Sequence, residues 1–346
     1  MKKQNLLKLL ILITTLLIAT SGCTKNTNGD QTQTNEQTQT NEQTQTVEQT
    51  QTVESTQTLE TGASTEEVAT VSEAYSVVDM AGNTIDFEQT PKKIAVLLAS
   101  DVEILYSLGA SDSIVAVGEY CNYPSEALEK EVITTGDNLN IEQIVALQPD
   151  VVIMGVMAQT TEQIEQLQNA GIKVVITDSQ NIENTYEAIE LLGKVSGKNE
   201  EALSLIESMK AEFEAIKEKS VKKSEKTIYF EVSPLEYGLW TTGKNTFMQE
   251  LADIVGVKNI FDDVEGWAEI SEEQVIERNP DYIVTVSMYS KDGITAADEI
   301  LTRKNWSNIS AIKNGSVLSD ETDMFTKPGP RLVDAAKALY KLVYGE

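Results

Sequence analysis

One stretch of this chain occurs twice. The first copy, EQIVALQPDVVI, begins at Glu142, and the second, EQVIERNPDYIV, begins at Glu273. Glu, Gln, Pro and Asp recur at the same offsets, with aliphatic residues matched around them. Each copy is typical of a short helix, a Pro-Asp turn and a buried strand, because proline ends a helix and an aliphatic run of this length favours a strand. The repeat therefore predicts two lobes of similar construction, each with a glutamate at an equivalent position.

Short aliphatic runs alternate with helical patterns on both sides of this repeat, which indicates an α/β architecture. In the first half the predicted strands are 94–98, 114–117, 151–154 and 174–176, with helices at 101–108 and 161–170. In the second half they are 228–232, 282–286 and 317–318, followed by a terminal helix at about 331–343. A hairpin is expected across AGN at 81–83.

A single long helix is expected between the two halves. Residues 198–222 carry apolar side chains at helical spacing and contain neither Gly nor Pro. The predicted domain organisation is an N-terminal α/β lobe at 73–196, a connecting helix at 197–224 and a C-terminal α/β lobe at 225–346. The fold class is thus α/β, with two Rossmann-like lobes joined by one long rigid helix.

The first 72 residues are not expected to belong to either lobe. Residues 1–23 are typical of a secretory signal with basic residues first, an apolar run next and small residues before Cys23. The ending TSGC resembles the lipobox of bacterial lipoproteins, which predicts acylation of Cys23; the alternative is a plain signal peptide with an incidental cysteine. Residues 24–72 contain five Gln/Thr-rich six-residue repeats with too little apolar surface to fold. We expect a disordered tether with a reach on the order of 40 Å.

Composition excludes several function classes. The net charge is −28, so nucleic acid and anionic lipid headgroups are not expected partners, and the membrane is contacted through the lipid anchor only. The chain has no histidine, which excludes imidazole metal ligation and Ser–His catalysis. With Cys23 acylated, Cys121 has no disulfide partner; a small buried thiol is favoured over a soft metal ligand. Neither a phosphate loop nor a dinucleotide fingerprint occurs, so we expect no enzyme activity, no cofactor and no metal site.

The two repeated glutamates have an ordinary explanation and a functional one. Asn140 and Ser271 stand where helix N-caps belong, two residues before Glu142 and Glu273. An acidic residue in a first helical turn is favoured by the helix dipole for roughly 0.3–1 kcal/mol. This preference does not explain the same placement on two lobes, which is what a two-point docking surface would need.

From about Ser76 to Tyr344 the chain resembles the ABC-importer binding proteins for iron–siderophores, haem and cobalamin. The motifs that carry this resemblance are PKKI at 91–94, LG at 108–109, YP at 123–124, the segment 140–150, TGK at 242–244, the segment 271–281 and GPR at 329–331. The resemblance implies a ligand cleft between two lobes joined by a rigid helix. It also implies that Glu142 and Glu273 bind arginines of a permease dimer, and that the protein is a monomeric, lipid-anchored receptor on the extracytoplasmic face of the cell membrane.

Aromatic residues near the expected cleft point to a ligand class. Tyr120, Trp240 and Trp267 match, by resemblance, the aromatic positions that line the corrinoid in the cobalamin-binding member of the family, and Tyr123 lies beside them. The alternative is that the two tryptophans fill the core beneath the loops in which they are expected to lie. Where the cobalamin-binding member has a further tryptophan, this chain has GDN at 136–138, so the aromatic cage would be incomplete.

Basic residues are too few for a strongly anionic ligand. The chain has only three arginines, and one of them, Arg278, lies on the predicted docking helix. The possible cleft cations are Lys244, Lys327 and Arg331. Arg331 could instead cap the final helix. Cobalamin or a related corrinoid is therefore the preferred ligand, with a ferric siderophore as the alternative. Haem is disfavoured by the absence of histidine, although Tyr120 or Tyr123 could ligate iron. The long tether leaves a different class open, a surface-tethered structural or adhesive lipoprotein.

Overall fold

The computed structural model describes residues 74–156, 160–220, 225–286, 293–320 and 322–345. The predicted signal peptide, Cys23 and the repeat segment lie outside the described residues. Within the described ranges, no helix combines the length and the apolar composition that crossing a membrane would require.

The N-terminal lobe is built on a five-stranded parallel sheet in the order β5-β4-β3-β6-β7. An antiparallel hairpin of β1 and β2 precedes it and confirms the expected turn at 81–83. The strands are β1 (Tyr75–Val78), β2 (Thr84–Phe87), β3 (Ile94–Val96), β4 (Ile114–Gly118), β5 (Glu131–Ile133), β6 (Val151–Gly155) and β7 (Lys173–Thr177). Strands β3, β4, β6 and β7 are almost entirely buried, which explains their continuous aliphatic sequences.

The C-terminal lobe has a four-stranded parallel sheet in the order β10-β8-β12-β13 and a separate two-stranded antiparallel ribbon of β9 and β11. The strands are β8 (Thr227–Glu231), β9 (Leu239–Thr242), β10 (Lys258–Asn259), β11 (Trp267–Ile270), β12 (Tyr282–Thr285) and β13 (Val317–Ser319). Trp240 and Trp267 were expected in loops, and that expectation is wrong, because they lie on β9 and β11.

The helices lie between the strands and at the end of the chain. They are α1 (Ala99–Ser107), α2 (Ile141–Leu147), α3 (Thr161–Asn169), α4 (Ile182–Ser196), α5 (Asn199–Lys219), α6 (Phe247–Val255), α7 (Glu272–Arg278), α8 (Ala296–Thr302), α9 (Ser310–Asn314) and α10 (Leu332–Tyr344). The 21-residue helix α5 joins the lobes and is followed by Ser220, so the helix predicted at 198–222 is confirmed over most of its length. The end of that prediction, at 221–222, lies outside the described residues.

The hydrophobic core of the described residues has three parts. One cluster fills the outer side of the N-terminal sheet and includes Ala95, Val152 and Ile176. Another lies in the C-terminal lobe around Trp306 and Phe261. The largest cluster contains residues of both lobes together with the inner sides of α4, α5, α6 and α10. Because this cluster crosses from one lobe to the other, the lobes are packed together at the side of the connecting helix.

The two parallel sheets decide where a ligand can bind. In open α/β sheets, ligands bind in the crevice outside the carboxyl ends of the strands. Helices α2 and α7 each precede a parallel strand and run back along the sheet, so each begins at this carboxyl edge. The expected docking glutamates and the expected cleft residues therefore belong to the same edges of the two sheets.

Candidate ligand cleft and docking surface

The two copies of the sequence repeat have matching local structures. Glu142 and Glu273 are both exposed and both lie in the first turn of a seven-residue helix. The Asn140 side chain accepts a hydrogen bond from the Gln143 amide at 3.1 Å, and Ser271 accepts one from the Gln274 amide at 3.4 Å. Both caps are as expected from the sequence, and both helices end at a residue with positive φ, Gln148 or Asn279.

The aspartate of each repeat holds its strand in register with a neighbouring strand. Asp150 Oδ2 accepts hydrogen bonds from the amides of Lys92 and Lys93, at 2.8 and 2.9 Å, just before β3. Asp281 Oδ2 accepts one from the Thr227 amide, at 3.0 Å, at the start of β8. The recurrence of Pro-Asp in the sequence thus has a structural cause, because each carboxylate satisfies backbone donors where two adjacent strands begin.

Two features of helix α7 concern Glu273 and its neighbour. Hydrogen bonding by its own backbone N–H and by the Ser271 hydroxyl lowers the pKa of Glu273, which keeps this carboxylate ionised. The preceding residue, Glu272, accepts a hydrogen bond from Trp306 Nε1 at 2.9 Å, so its carboxylate is tied to the core and not only solvated. Trp306 itself is completely buried and is the tryptophan that fills the C-terminal core.

Two tyrosines protrude from the carboxyl edge of β4. Tyr120 is 64% exposed and Tyr123 is 47% exposed. Cys121, between them, is buried, and burial raises the pKa of its thiol to about 12. The thiol is therefore protonated at neutral pH, as expected for a structural cysteine and not for a metal ligand. In the described residues, no cluster of three or more His, Cys, Asp or Glu side chains is arranged to hold a metal ion.

One face of the β9/β11 ribbon carries both predicted cleft tryptophans. Trp240 is paired with Glu269 and Trp267 with Thr242, so side-chain alternation puts these four residues on the same face. The opposite face, with Leu239 and Ile270, packs on the C-terminal core. Trp240 is 40% exposed and Trp267 is 37% exposed, so neither fills the core as the alternative interpretation proposed. We call the face formed by Trp240, Trp267 and Glu269 the ribbon face.

Contacts of Trp267 show which way the ribbon face is turned. Trp267 Nε1 donates a hydrogen bond to Gln180 Oε1 at 3.4 Å, and its ring meets Phe247 edge-on with centroids 5.8 Å apart. Gln180 follows β7 of the N-terminal lobe, and its carbonyl also accepts from the Phe247 amide at 3.0 Å. The ribbon face is therefore turned toward the N-terminal lobe. Trp240 lies at the carboxyl end of β8, because its carbonyl accepts from the Val232 amide.

Arg331, predicted as a cleft cation, forms an ion pair between the lobes. Its Nε and Nη2 donate to the two carboxylate oxygens of Glu103 at 2.8 and 2.5 Å, and its guanidinium lies 4.1 Å from the ring centroid of Tyr123. Arg331 occupies the N-cap position of α10, yet its side chain makes no cap hydrogen bond, so the alternative capping role is wrong. Both partners of this ion pair are buried. The positive charge of Arg331 is therefore compensated by Glu103 before any ligand arrives.

Lys327 and Lys244 lie in different surroundings. Lys327 is almost completely buried and donates to Asp323 Oδ2 at 3.0 Å and to Asn122 Oδ1 at 3.1 Å, which adds a second polar link between the lobes. Lys244 is exposed, and its charge acts on Asp263, which pairs with Arg278 of α7. The two lysines therefore do not form a common cationic surface.

Asp101 is a buried carboxyl group at the start of α1, under the carboxyl edge of β3. Its Oδ2 accepts a hydrogen bond from the Thr177 hydroxyl at 2.7 Å, whereas no described residue hydrogen-bonds to its Oδ1. Desolvation raises the pKa of Asp101 to about 7. The sequence gives no signal for this burial, because an aspartate in a first helical turn is ordinarily exposed.

Three further residues of the site carry little or no signal in the sequence. Tyr237 is 62% exposed in the turn that leads into β9, and Glu269 lies on the ribbon face opposite Trp240. Glu103 could not be matched with Arg331, because the two are 228 residues apart. The exposed aromatic residue Tyr237, close to Trp240 in the sequence, was the one available signal.

Two α/β lobes on one long helix, with exposed aromatic residues at the facing carboxyl edges, define a class III periplasmic binding protein. The sequence profile of a periplasmic binding protein family matches residues 94–323, and the chain belongs to this family. Members of the family bind solutes, and the docking and ligand-binding roles of individual residues stay predictions.

Three similar proteins give this family membership detail. The ABC transporter substrate-binding lipoprotein YvrC of Bacillus subtilis is 35% identical over 276 residues, 78% of this chain and 85% of the relative. A vitamin B12-binding protein of Salmonella paratyphi A is 30% identical over 252 residues, 71% of this chain and 88% of the relative. The crystal structure of a possible iron-binding protein of Staphylococcus epidermidis is 28% identical, with a TM-score of 0.62 over 74% of this chain and 100% of that chain.

Proposed function

We propose that this protein is the extracytoplasmic substrate-binding protein of an ABC importer, that it is held at the membrane by an acylated Cys23, and that its ligand is cobalamin or a related corrinoid. The similarity to a substrate-binding lipoprotein of Bacillus subtilis and to a vitamin B12-binding protein supports this role. Its partners are a permease dimer and a small molecule bound between the lobes, and the receptor acts as a monomer.

The observation that carries the importer role is the matched pair of exposed carboxylates, Glu142 and Glu273. Each lies in the first turn of a helix of the same length, held by the same kind of cap and the same Pro-Asp link to the sheet. Carboxylate–arginine pairs are charge-assisted and can be bidentate. Two such pairs on separate lobes would fix the orientation of the receptor on a two-fold symmetric permease.

Charge and aromatic residues favour a weakly charged ring as the ligand. Tyr120, Tyr123, Trp240 and Trp267 all keep a large exposed fraction at the carboxyl edges, and aromatic faces suit a flat ring with apolar edges. The buried cations near these edges already have carboxylate partners, since Arg331 pairs with Glu103 and Lys327 with Asp323. A multiply anionic ligand would therefore find little uncompensated positive charge among them.

A ferric siderophore is the second candidate ligand. The 28% identity to a possible iron-binding protein supports it, and the phenol groups of Tyr120 and Tyr123 are exposed where an iron chelate could reach them. For haem, the same two phenol groups are available as iron ligands, but the chain has no histidine. Haem is therefore the least favoured of the three candidate ligands.

Titration of purified protein distinguishes these ligands. Cyanocobalamin, cobinamide, a ferric catecholate and haem are added separately while tryptophan fluorescence is followed. Trp240→Ala and Trp267→Ala should each weaken corrinoid binding at least ten-fold, because each removes an exposed ring at the cleft. The same substitution at an exposed leucine of the connecting helix, Leu203→Ala, is the control. Binding of the ferric chelate alone would contradict the corrinoid assignment.

The docking role is tested by charge reversal in cells. Glu142→Lys and Glu273→Lys should abolish uptake of the ligand and leave its affinity for the purified protein unchanged. Glu207→Lys, an exposed glutamate on the connecting helix α5, is the matched control and should retain uptake. A large loss of ligand affinity in either docking variant would show that these glutamates serve the cleft and not the permease.

A further inference from the structure

The ribbon face holds a carboxylate beside the indole ring of Trp240. Glu269 is directly opposite Trp240 on the neighbouring strand and two residues from Trp267 on its own strand. Directly opposite residues have Cβ atoms about 5 Å apart, so the carboxylate lies within reach of the rim of the Trp240 ring. Glu269 is exposed, and among the residues that the structure describes it has no salt bridge and no side-chain hydrogen bond.

The backbone beside Glu269 leaves the carboxylate accessible. Gly238 turns the chain into β9 with a φ of 89°, and a Cβ atom at this position would lie 3.7 Å from Glu269 Oε1. The carboxylate thus lies over a residue without a side chain, next in sequence to the exposed ring of Tyr237. An approaching ligand would meet aromatic surface and an acceptor with negative charge at the same place.

We propose that Glu269 is a specificity-determining residue, which accepts hydrogen bonds from N–H donors at the edge of a neutral or cationic ring ligand and repels anionic chelates. This inference rests on the proposed function, because it defines the chemistry of the ligand for the same cleft. A corrinoid fits it, since primary amide groups surround its ring. A ring lying on Trp240 would direct edge amides toward the carboxylate, where a hydrogen bond is strengthened by the charge of the acceptor.

Discrimination follows from both signs of this interaction. An anionic chelate of similar size would face Glu269 as a like charge, and such a repulsive contact contributes to specificity as effectively as an attractive one. The compensated state of Arg331 and Lys327 strengthens this discrimination, because neither cation has an unpaired charge to offset Glu269. The ribbon face is also turned toward the other lobe, through the contact of Trp267 with Gln180.

The test is Glu269→Gln, with Glu277→Gln as the control. Both residues are exposed glutamates of the same lobe, and both substitutions remove one negative charge. Affinities are measured by tryptophan fluorescence for three probes: cyanocobalamin, which is neutral overall, cationic aquacyanocobinamide, and an anionic ferric catecholate. We expect Glu269→Gln to weaken cyanocobalamin binding about ten-fold, which corresponds to about 1.4 kcal/mol. The loss should be larger for the cationic cobinamide, and catecholate affinity should not fall.

Three outcomes would overturn the inference, and they can be told apart. If the wild type binds corrinoids and Glu269→Gln binds both with unchanged affinity, Glu269 has no role in selection and the proposed function stands. If affinity is unchanged but uptake in cells is lost, Glu269 belongs to the docking surface with Glu273. If the wild type binds none of the corrinoids, the corrinoid assignment itself fails, and the inference fails with it.

Discussion

The buried carboxyl of Asp101 should make the stability of this protein depend on pH in a defined window. Its pKa is raised from 3.8 to about 7, chiefly by desolvation, while the Thr177 hydroxyl acts in the opposite direction. A carboxyl with a raised pKa in the folded state contributes stability that is fully present below its unfolded pKa and is lost as pH rises through its folded pKa. A shift of about three units corresponds to roughly 4 kcal/mol.

The substitution Asp101→Asn removes this titration. Asparagine keeps an oxygen that can accept from the Thr177 hydroxyl, and it has nearly the same volume as aspartate. The variant should become more stable relative to the wild type as pH rises from about 4 to about 7, with no further change above that. The absolute difference at pH 4 depends on how the new amide group is satisfied. The change of this stability difference with pH does not depend on the new amide group, because asparagine does not titrate.

Urea unfolding followed by circular dichroism at pH 5, 6, 7 and 8 measures the difference in free energy of unfolding. Asp112→Asn, an exposed aspartate just after α1, provides the control and should show little pH dependence relative to the wild type. A difference between Asp101→Asn and wild type that stays constant from pH 5 to pH 8 would refute the argument. It would mean that Asp101 is ionised throughout, with water or a lobe movement hydrating its second oxygen.

Three other predictions concern buried groups. Arg331→Met should destabilise the protein by roughly 3–5 kcal/mol, because Glu103 is left buried and unpaired, and adding Glu103→Gln should recover a large part of this loss in the same urea assay. Cys121 should resist an aromatic disulfide reagent at pH 8 in the native protein and react at once in urea, since burial raises its pKa to about 12. Trp306→Phe should cost roughly 2–4 kcal/mol, because it opens a cavity and leaves Glu272 without its Nε1 donor; an unchanged urea midpoint would contradict this.

Much of the fold could be predicted from the sequence, because the central strands and the connecting helix have strong periodic signals. The buried strands of both sheets are short aliphatic runs, and α5 has a long amphipathic pattern without breakers. The repeat at 142 and 273 indicated equivalent elements in both lobes, and the structure adds the reason for its Pro-Asp pairs.

The β9/β11 ribbon was missed because its strands are only four residues long and half exposed, so alternation gives a weak signal. That error matters for the site, since only the strand pairing reveals that Trp240, Trp267 and Glu269 share a face. The partners of Arg331 and Lys327 could not be predicted either. Side-chain contacts more than 200 positions apart, such as the Arg331–Glu103 ion pair and the Lys327–Asn122 hydrogen bond, leave no periodic trace in a single sequence.

The largest hydrophobic cluster has a consequence for the behaviour of the whole receptor. It joins Leu105 and Leu192 of the first lobe to Phe230 and Leu251 of the second, through Phe213 of α5 and Leu339 of α10. Neither half can be produced separately without exposing this shared apolar surface to water. Denaturation should therefore show a single transition, whichever spectroscopic probe is used. Expressing the chain as two fragments divided at the connecting helix α5 should yield two insoluble fragments.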